Sequence, residues 1–143
     1  MLLLGCSFEV PPAGPPSPSI EVFRDAVYPV LLRDCGFPAC HGDTNRFFRI
    51  YGPGRTRLEG MPLSAPPSDA EVEASYDRAR SMLASVAIVE DSLLVRKPLE
   101  VDQGGAPHMG IDHNGRDVYQ TTGEPGYVTI RDWAASAPLG DAP

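Results

Sequence analysis

The sequence predicts a mainly α domain of three to four short helices joined by long loops. Four stretches of the chain carry apolar residues at helical spacing, and each is bounded by a residue that favours a helix end. The 143 residues include 16 prolines and 14 glycines. Together these make up about a fifth of the chain, against a usual share of about 12%. Because both residues interrupt regular structure, long helices and large sheets are disfavoured, and much of the chain must be turn or extended loop.

The first predicted helix begins near Ser19. Its apolar face consists of four residues at helical intervals: Phe23, Val27, Val30 and Leu31. Pro29 is expected to kink this helix, and Cys35-Gly36 to end it. Further along, the sequences 46–51 and 55–58 flank Gly52-Pro53-Gly54, which predicts a short irregular hairpin.

The second predicted helix runs from Asp69 to about Ala84. Ser68 and Glu71 form the sequence pattern of a capping box. The apolar side is formed by Val72, Tyr76, Ala79 and Leu83. The acidic stretch Asp69–Asp77 is expected to be a solvated helix face, with its first carboxylates favoured by the helix dipole.

Two more helical segments are predicted in the second half of the chain. Residues 92–96 indicate one helical turn that Pro98 stops. The last helix is expected from about Pro125 to Ala135, since proline suits a first helical turn. Its inward residues would be Tyr127, Ile130, Trp133 and Ala134. The first and last helices are expected to pack against each other.

The start of the chain resembles an export signal. Leu3-Leu4-Gly5-Cys6 is similar to a bacterial lipobox, in which the cysteine is lipidated and becomes the mature N-terminus. A Pro-rich stretch follows it, typical of a stiff tether. The predicted organisation is a signal-peptide remnant at 1–5, a tether at 6–18, a domain at 19–137 and a flexible tail at 138–143. This predicts a periplasmic or cell-surface protein, lipid-anchored through Cys6; the alternative is a cytosolic chain with a disordered apolar start.

Charge and hydropathy argue against nucleic-acid binding and against a membrane-spanning helix. The net charge of −7 repels phosphate backbones, so a nucleic acid is a poor partner. No run in the sequence approaches the roughly 18 apolar residues of a membrane-spanning helix.

The chemistry of the chain is concentrated at Cys35, Cys40 and His41. The attachment motif of c-type haem is Cys-x-x-Cys-His, in which two thiols bond the porphyrin and the adjacent imidazole reaches the iron. Here four residues separate the thiols, while Cys40 and His41 keep their relation, so the extra residues must bulge, and Gly36 suits such a bulge. A Cys35–Cys40 disulfide and a zinc site are the alternatives. The zinc site would use both cysteines with two of His41, His108 and His113.

An ordered series of short motifs surrounds these residues. After Cys40-His41-Gly42 come three further stretches in order: Ser92-Leu93-Leu94-Val95-Arg96-Lys97-Pro98, Gly105-Ala106-Pro107-His108-Met109-Gly110, and Tyr127-Val128-Thr129-Ile130-Arg131-Asp132-Trp133. Over about residues 20–137 the series resembles the monohaem c-type cytochrome-like domains of secreted bacterial proteins, notably those of planctomycetes and myxobacteria. The resemblance implies a cytochrome c-like fold whose loops enclose one covalent haem c. It also implies a one-electron carrier rather than an enzyme, with a redox protein as its partner.

The resemblance also assigns the axial positions of the iron. His41 matches the proximal ligand, and His108 matches the family's second histidine as the distal ligand. Met109 is the alternative distal ligand, followed by His113 and Met61. Two neutral ligands would leave no open position on the iron, which is typical of electron transfer. The arginines at 46, 49, 55 and 57 are candidate partners for the haem propionates. The alternative function is a non-redox exported lipoprotein that serves as a disulfide-stapled scaffold or interaction domain.

Overall fold

The structure is a computed structural model that describes residues 15–84, 86, 88–108 and 116–137. The predictions for Cys6, Met109, His113 and the C-terminal tail lie outside these residues. The described part is mainly helical, as the sequence predicts, and it contains no β-strand, only isolated bridges. No helix in this part is long and apolar enough to cross a membrane.

The first helical stretch spans residues 20–34 and changes type along its length. It is α-helical at Ile20–Val22 (α1), π-helical at Phe23–Val27 and α-helical again at Tyr28–Asp34 (α2). Because Pro29 has no amide hydrogen, it cannot bond the carbonyl four residues earlier. Directly before Pro29 the helical turn contains one extra residue, because the amide of Tyr28 donates to the carbonyl of Phe23, five residues earlier. The predicted distortion at Pro29 is thus a π-turn, and the helix ends before Cys35 as expected.

The other helices follow the predicted order. They are α3 at Asp69–Ser81, α4 at Leu93–Arg96 and α5 at Pro125–Ala135. Short 3-10 turns lie at Val89–Asp91 and Val101–Gln103. The capping box of α3 is present, since Ser68 accepts from the amide of Glu71 and Glu71 accepts from the amide of Ser68. The predicted bounds of α5 are confirmed, whereas α3 ends three residues early.

One apolar core joins the first and last helical stretches, which confirms that they pack together. Phe23 lies at the centre, with its ring 5.1 Å from that of Trp133 and 5.5 Å from that of Tyr76. The indole nitrogen of Trp133 donates to the carbonyl of Ser19 at 2.9 Å. The predicted inward residues of α3 and α5 are buried in this core, and Val30 packs at its edge.

The predicted hairpin at 46–58 is wrong. Only one isolated bridge, between Tyr51 and Thr56, is found there. Two backbone amides of this segment bond outside it: Ile50 donates to the carbonyl of His41 at 2.7 Å, and Thr56 to that of Gly42 at 2.9 Å. Strands need regular mutual pairing, so a segment bonded to a distant loop forms none.

Glu71 is a second correction, because it lies inside rather than on a solvated face. Its side chain is fully buried and forms an ion pair with Arg57, with a distance of 2.7 Å between Arg57 Nε and Glu71 Oε1. The Arg57 guanidinium also donates to four carbonyls of the loop that leads to α3, those of Pro62, Leu63, Ala65 and Pro66. This network ties the Pro-rich loop to the start of α3.

The end of the predicted tether packs on the domain. Pro18 is fully buried, and its carbonyl accepts from the hydroxyl of Tyr76 at 2.7 Å. The carbonyl of Pro15 accepts from Arg80 at 3.1 Å. Residues 15–18 therefore belong to the packed part of the domain.

Candidate functional site

The candidate site is built on the loop that follows α2, from Cys35 to Gly42. The amide of Cys40 donates to the carbonyl of Phe37 at 2.8 Å, and the amide of His41 to that of Cys35 at 3.0 Å. Gly42 also donates to Phe37, at 2.9 Å. The four residues between the cysteines thus coil into compact turns, in agreement with the bulge expected from the wide spacing.

Two glycines permit the close packing of this loop. A Cβ atom on Gly42 would overlap the carbonyl oxygen of Gly36 and lie 2.8 Å from Cγ of Arg55. A Cβ atom on Gly36 would lie 2.9 Å from the carbonyl oxygen of Leu32. Neither glycine has a positive φ, so the reason for glycine here is space rather than backbone conformation.

The two thiols of the site differ in their surroundings. Cys35 is buried among core residues, and burial, helped by the Asp34 carboxylate, raises the pKa of its thiol to about 12. Cys40 is half-exposed. Both are free thiols in the structure.

His41 is held by the chain in one tautomer. Its Nδ1 lies 2.8 Å from the carbonyl oxygen of Phe48, which can only accept. Nδ1 therefore carries the proton and donates, which leaves the lone pair on Nε2. The Phe48 ring also packs on the imidazole, with 4.8 Å between the ring centroids. A carbonyl that fixes the tautomer and the ring direction is the usual support for a metal-binding histidine.

His108 lies opposite His41. The two imidazole centroids are 5.9 Å apart, and the ring planes are parallel to within 6°. Two residues that are 67 positions apart in the chain thus bring their rings together in parallel planes. Nδ1 of His108 is buried and has no hydrogen-bond partner among the described residues. A buried polar atom without a partner is costly unless something else supplies the bond.

The electrostatic surroundings favour neutral imidazoles. Burial lowers the pKa of His41, and the cations of Arg46 and Lys97 lower it further. Burial also lowers the pKa of His108, with contributions from His41, Lys97 and Arg46. Both rings are therefore expected to be unprotonated at neutral pH, the form that offers a lone pair to a metal.

A cavity of about 880 Å³ lies beside the site, in the size range of ligand pockets. Its wall includes Cys40 and Phe37 on one side and residues 116–120 and 124–126 on the other. Neither His41 nor His108 lines it. Tyr119 and Asp34 also line it; the hydroxyl of Tyr119 donates to Asp34 at 2.8 Å, and Gly126 leaves room for that bond.

The structure places the other predicted residues as follows. Met61 lies in a turn, where its amide donates to Leu58, and no described contact joins it to His41. Arg57 is paired with Glu71, and Arg55 donates to the carbonyls of Leu32 and Pro53, so the protein itself engages these two guanidinium groups. Arg46 is exposed and Arg49 half-exposed.

Several residues of the site carry no signal in the sequence. Phe48 was not predicted to support His41, because a backbone carbonyl carries no side-chain signature. Lys97 was noted only within a motif, and its charge acts on both histidines. Tyr119 and Asp34 are 85 positions apart, and nothing in their spacing indicates their hydrogen bond.

Within residues 15–84, 86, 88–108 and 116–137, no group of three or more His, Cys, Asp or Glu side chains is placed to hold a metal ion. Compared with known protein families, curated proteins and solved structures, the chain matches none.

Proposed function

We propose that the chain is a monohaem c-type cytochrome with a cytochrome c-like fold, acting as a one-electron carrier or relay. In this proposal the haem is bonded to Cys35 and Cys40, with His41 as proximal and His108 as distal ligand. The protein works outside the cytoplasm of a bacterium, held to a membrane by a lipid on Cys6, and exchanges electrons with a redox protein.

The arrangement of His41 and His108 carries the proposal. Metal–imidazole bonds are about 2 Å long and a ring nitrogen lies about 1 Å from its centroid, so imidazoles on opposite sides of one iron have centroids about 6 Å apart. The observed separation of 5.9 Å agrees with this value. Haem supplies four nitrogen ligands of its own, so two protein ligands would complete the coordination of the iron.

The residues beside the histidines fit the same cofactor. Cys40 precedes His41 directly, as in the attachment motif, and it is half-exposed. When bound, the haem supplies reversible one-electron chemistry at its iron. Phe48 holds the lone pair of His41 on Nε2, and burial keeps both imidazoles neutral and ready to bind. Two filled axial positions support electron transfer rather than binding of a substrate.

The test is production of the exported chain in a host that has the c-type maturation machinery. A pyridine haemochrome spectrum reports covalent haem, and mass spectrometry of the peptide containing residues 35–41 reports the state of each thiol. We expect haem bands and one added haem mass on that peptide. A colourless protein with a Cys35–Cys40 disulfide would support the scaffold alternative, and a colourless protein with stoichiometric zinc would support the zinc site.

Axial ligand variants make the test sharper. In His108→Ala we expect haem to stay attached while the oxidised spectrum changes from low-spin to high-spin. His113→Ala is the matched control and should stay low-spin. An unchanged spectrum in His108→Ala would reject His108 as the distal ligand, and a weak long-wavelength charge-transfer band in the parent would assign Met109 in its place.

A further inference from the structure

We infer that electrons leave or enter through a cationic patch formed by Arg46, Phe47, Arg49 and Arg78, and that this patch docks an acidic redox protein. The inference rests on the proposed function and adds the place and the charge of the partner. Its basis is a short route from His41 to the surface and a local charge opposite to that of the whole chain.

The route from His41 to the patch consists of contacts in the structure. Nδ1 of His41 donates to the carbonyl of Phe48, and the two rings pack at 4.8 Å. Phe47 is the covalent neighbour of Phe48, and 67% of its surface is exposed. An exposed phenylalanine is an unusual surface residue, and aromatic side chains are enriched in protein interfaces. The proximal ligand is thus joined to an exposed aromatic ring through one hydrogen bond and a few backbone bonds.

Three arginines lie near Phe47, Arg46 and Arg49 along the chain and Arg78 through a contact with its ring. The Arg78 guanidinium lies 5.3 Å from the Phe47 ring centroid. Nε of Arg49 donates to the backbone carbonyl of Arg46 at 2.8 Å, which places the Arg49 guanidinium beside the backbone of Arg46. Of the nearest acids along the chain, Asp77 faces Arg80 at 3.6 Å, whereas Asp43 is bonded only to the neutral Asn45 and keeps its charge, so the three arginines still outnumber the unpaired acid.

The charge of the partner follows from the difference between the positive patch and the negative chain as a whole. The chain as a whole carries a net charge of −7, so a cationic partner would be drawn to most of its surface, whereas an acidic partner is attracted only where cations cluster. Complementary charge raises the encounter rate and sets orientation, while a central aromatic residue supplies the contact. An acidic protein docked on this patch would contact Phe47, the covalent neighbour of the Phe48 whose carbonyl and ring contact His41.

The test compares Arg46→Gln/Arg49→Gln with the matched control Arg24→Gln/Arg131→Gln, which removes two charges outside the patch. The reduced, haem-loaded protein is mixed with hexacyanoferrate(III), which takes one electron and becomes hexacyanoferrate(II) as iron(II) becomes iron(III). At about 10 mM salt, a charge about 10 Å from a trivalent anion changes the rate constant about four-fold. Because two charges are removed, we expect the patch variant to be about sixteen-fold slower than the parent and the control within about two-fold. The gap should close at high salt, and the cation tris(phenanthroline)cobalt(III) should instead react faster with the patch variant.

A protein probe tests the aromatic contact. Reduced plant-type ferredoxin, an acidic protein with a potential near about −400 mV, gives one electron to the oxidised iron. Phe47 would be buried when the ferredoxin docks, so Phe47→Ser should slow this reaction about five- to ten-fold. The rate with hexacyanoferrate should stay within about two-fold of the parent.

The outcomes separate the two proposals. A protein without haemochrome bands refutes the proposed function before any kinetics are measured. In a haem-loaded protein, equal effects in patch and control variants refute the docking patch alone. A shifted midpoint potential in the patch variant, with unchanged rates and salt dependence, assigns the arginines to the haem propionates and also overturns the patch.

Discussion

Replacing Glu71 by Gln should remove a large part of the stability of this domain. The carboxylate accepts from Arg57 through both oxygens, at 2.7 and 2.9 Å, and from the amides of Leu58 and Ser68 at 3.1 and 3.0 Å. A glutamine has one acceptor oxygen, so its NH₂ group would face donors. Arg57, with a side chain only 6% exposed, would lose its counter-charge.

Two independent arguments give a similar loss in the free energy of unfolding. Loss of one partner from a buried ion pair costs about 3–5 kcal/mol. Hydrogen bonding to Arg57 lowers the pKa of Glu71 from an ordinary value of 4.5 to about 2, which corresponds to about 3 kcal/mol at neutral pH. Whole domains are stable by only about 5–15 kcal/mol. The variant should therefore lose a fifth or more of the total stability.

The assay is guanidinium unfolding followed by the fluorescence of Trp133, the single tryptophan, which is buried in the core. Glu73→Gln, an exposed acid on the same helix, is the matched control. Because the folded pKa is lowered, the stabilisation is complete above pH 4.5 and is lost as the pH falls from 4.5 towards 2. The variant should lack that part of the acid dependence. A Glu71→Gln protein within about 1 kcal/mol of the control would refute the reasoning.

Two further predictions concern the site. Gly42→Ala should lower the free energy of unfolding by at least about 1–3 kcal/mol, because the new methyl group overlaps the carbonyl oxygen of Gly36. Gly123→Ala is the control and should have no such effect, since its new methyl group meets only Thr121 Oγ1 at 3.9 Å. Parallel guanidinium titrations measure both variants, and equal midpoints would contradict the prediction. Lys97→Gln should lower the midpoint potential of the haem-loaded protein by some tens of millivolts, because removal of a cation favours iron(III). Redox titration measures this shift against Arg131→Gln, and a rise or an equal shift in the control would count against it.

The helices could be predicted from the sequence because their signals are local. α5 begins at Pro125 and buries Tyr127, Ile130 and Trp133, as their spacing indicates. The same local reasoning failed for Glu71, since an acid near a helix start usually faces water, and its partner Arg57 lies in a loop 14 positions earlier. The Gly-Pro-Gly turn predicted a hairpin, but the amides of Ile50 and Thr56 donate to the carbonyls of His41 and Gly42 instead.

The site shows the same division between local and distant signals. Cys40 and His41 could be recognised from their adjacency alone. The approach of His108 to His41 depends on how the loop after α4 folds back, which no periodicity encodes; only the resemblance to cytochrome-like domains pointed to it. The Phe48 carbonyl that orients His41 could not be predicted, since any residue supplies a carbonyl.

The way the loop 35–58 is held bears on the electron-transfer proposal. A one-electron carrier is faster when its ligands do not move as the charge changes, so the ligands must be fixed before the electron arrives. Here the backbone of His41 is bonded on both sides, to Cys35 through its amide and to Ile50 through its carbonyl. Its ring is fixed by Phe48, and the same segment is tied to α3 through the bond of the Tyr51 amide to Ser75 and through the Arg57–Glu71 pair. A chain rich in proline and glycine thus holds its site through side-chain and backbone bonds between loops, with no sheet to support it among the residues that the structure describes.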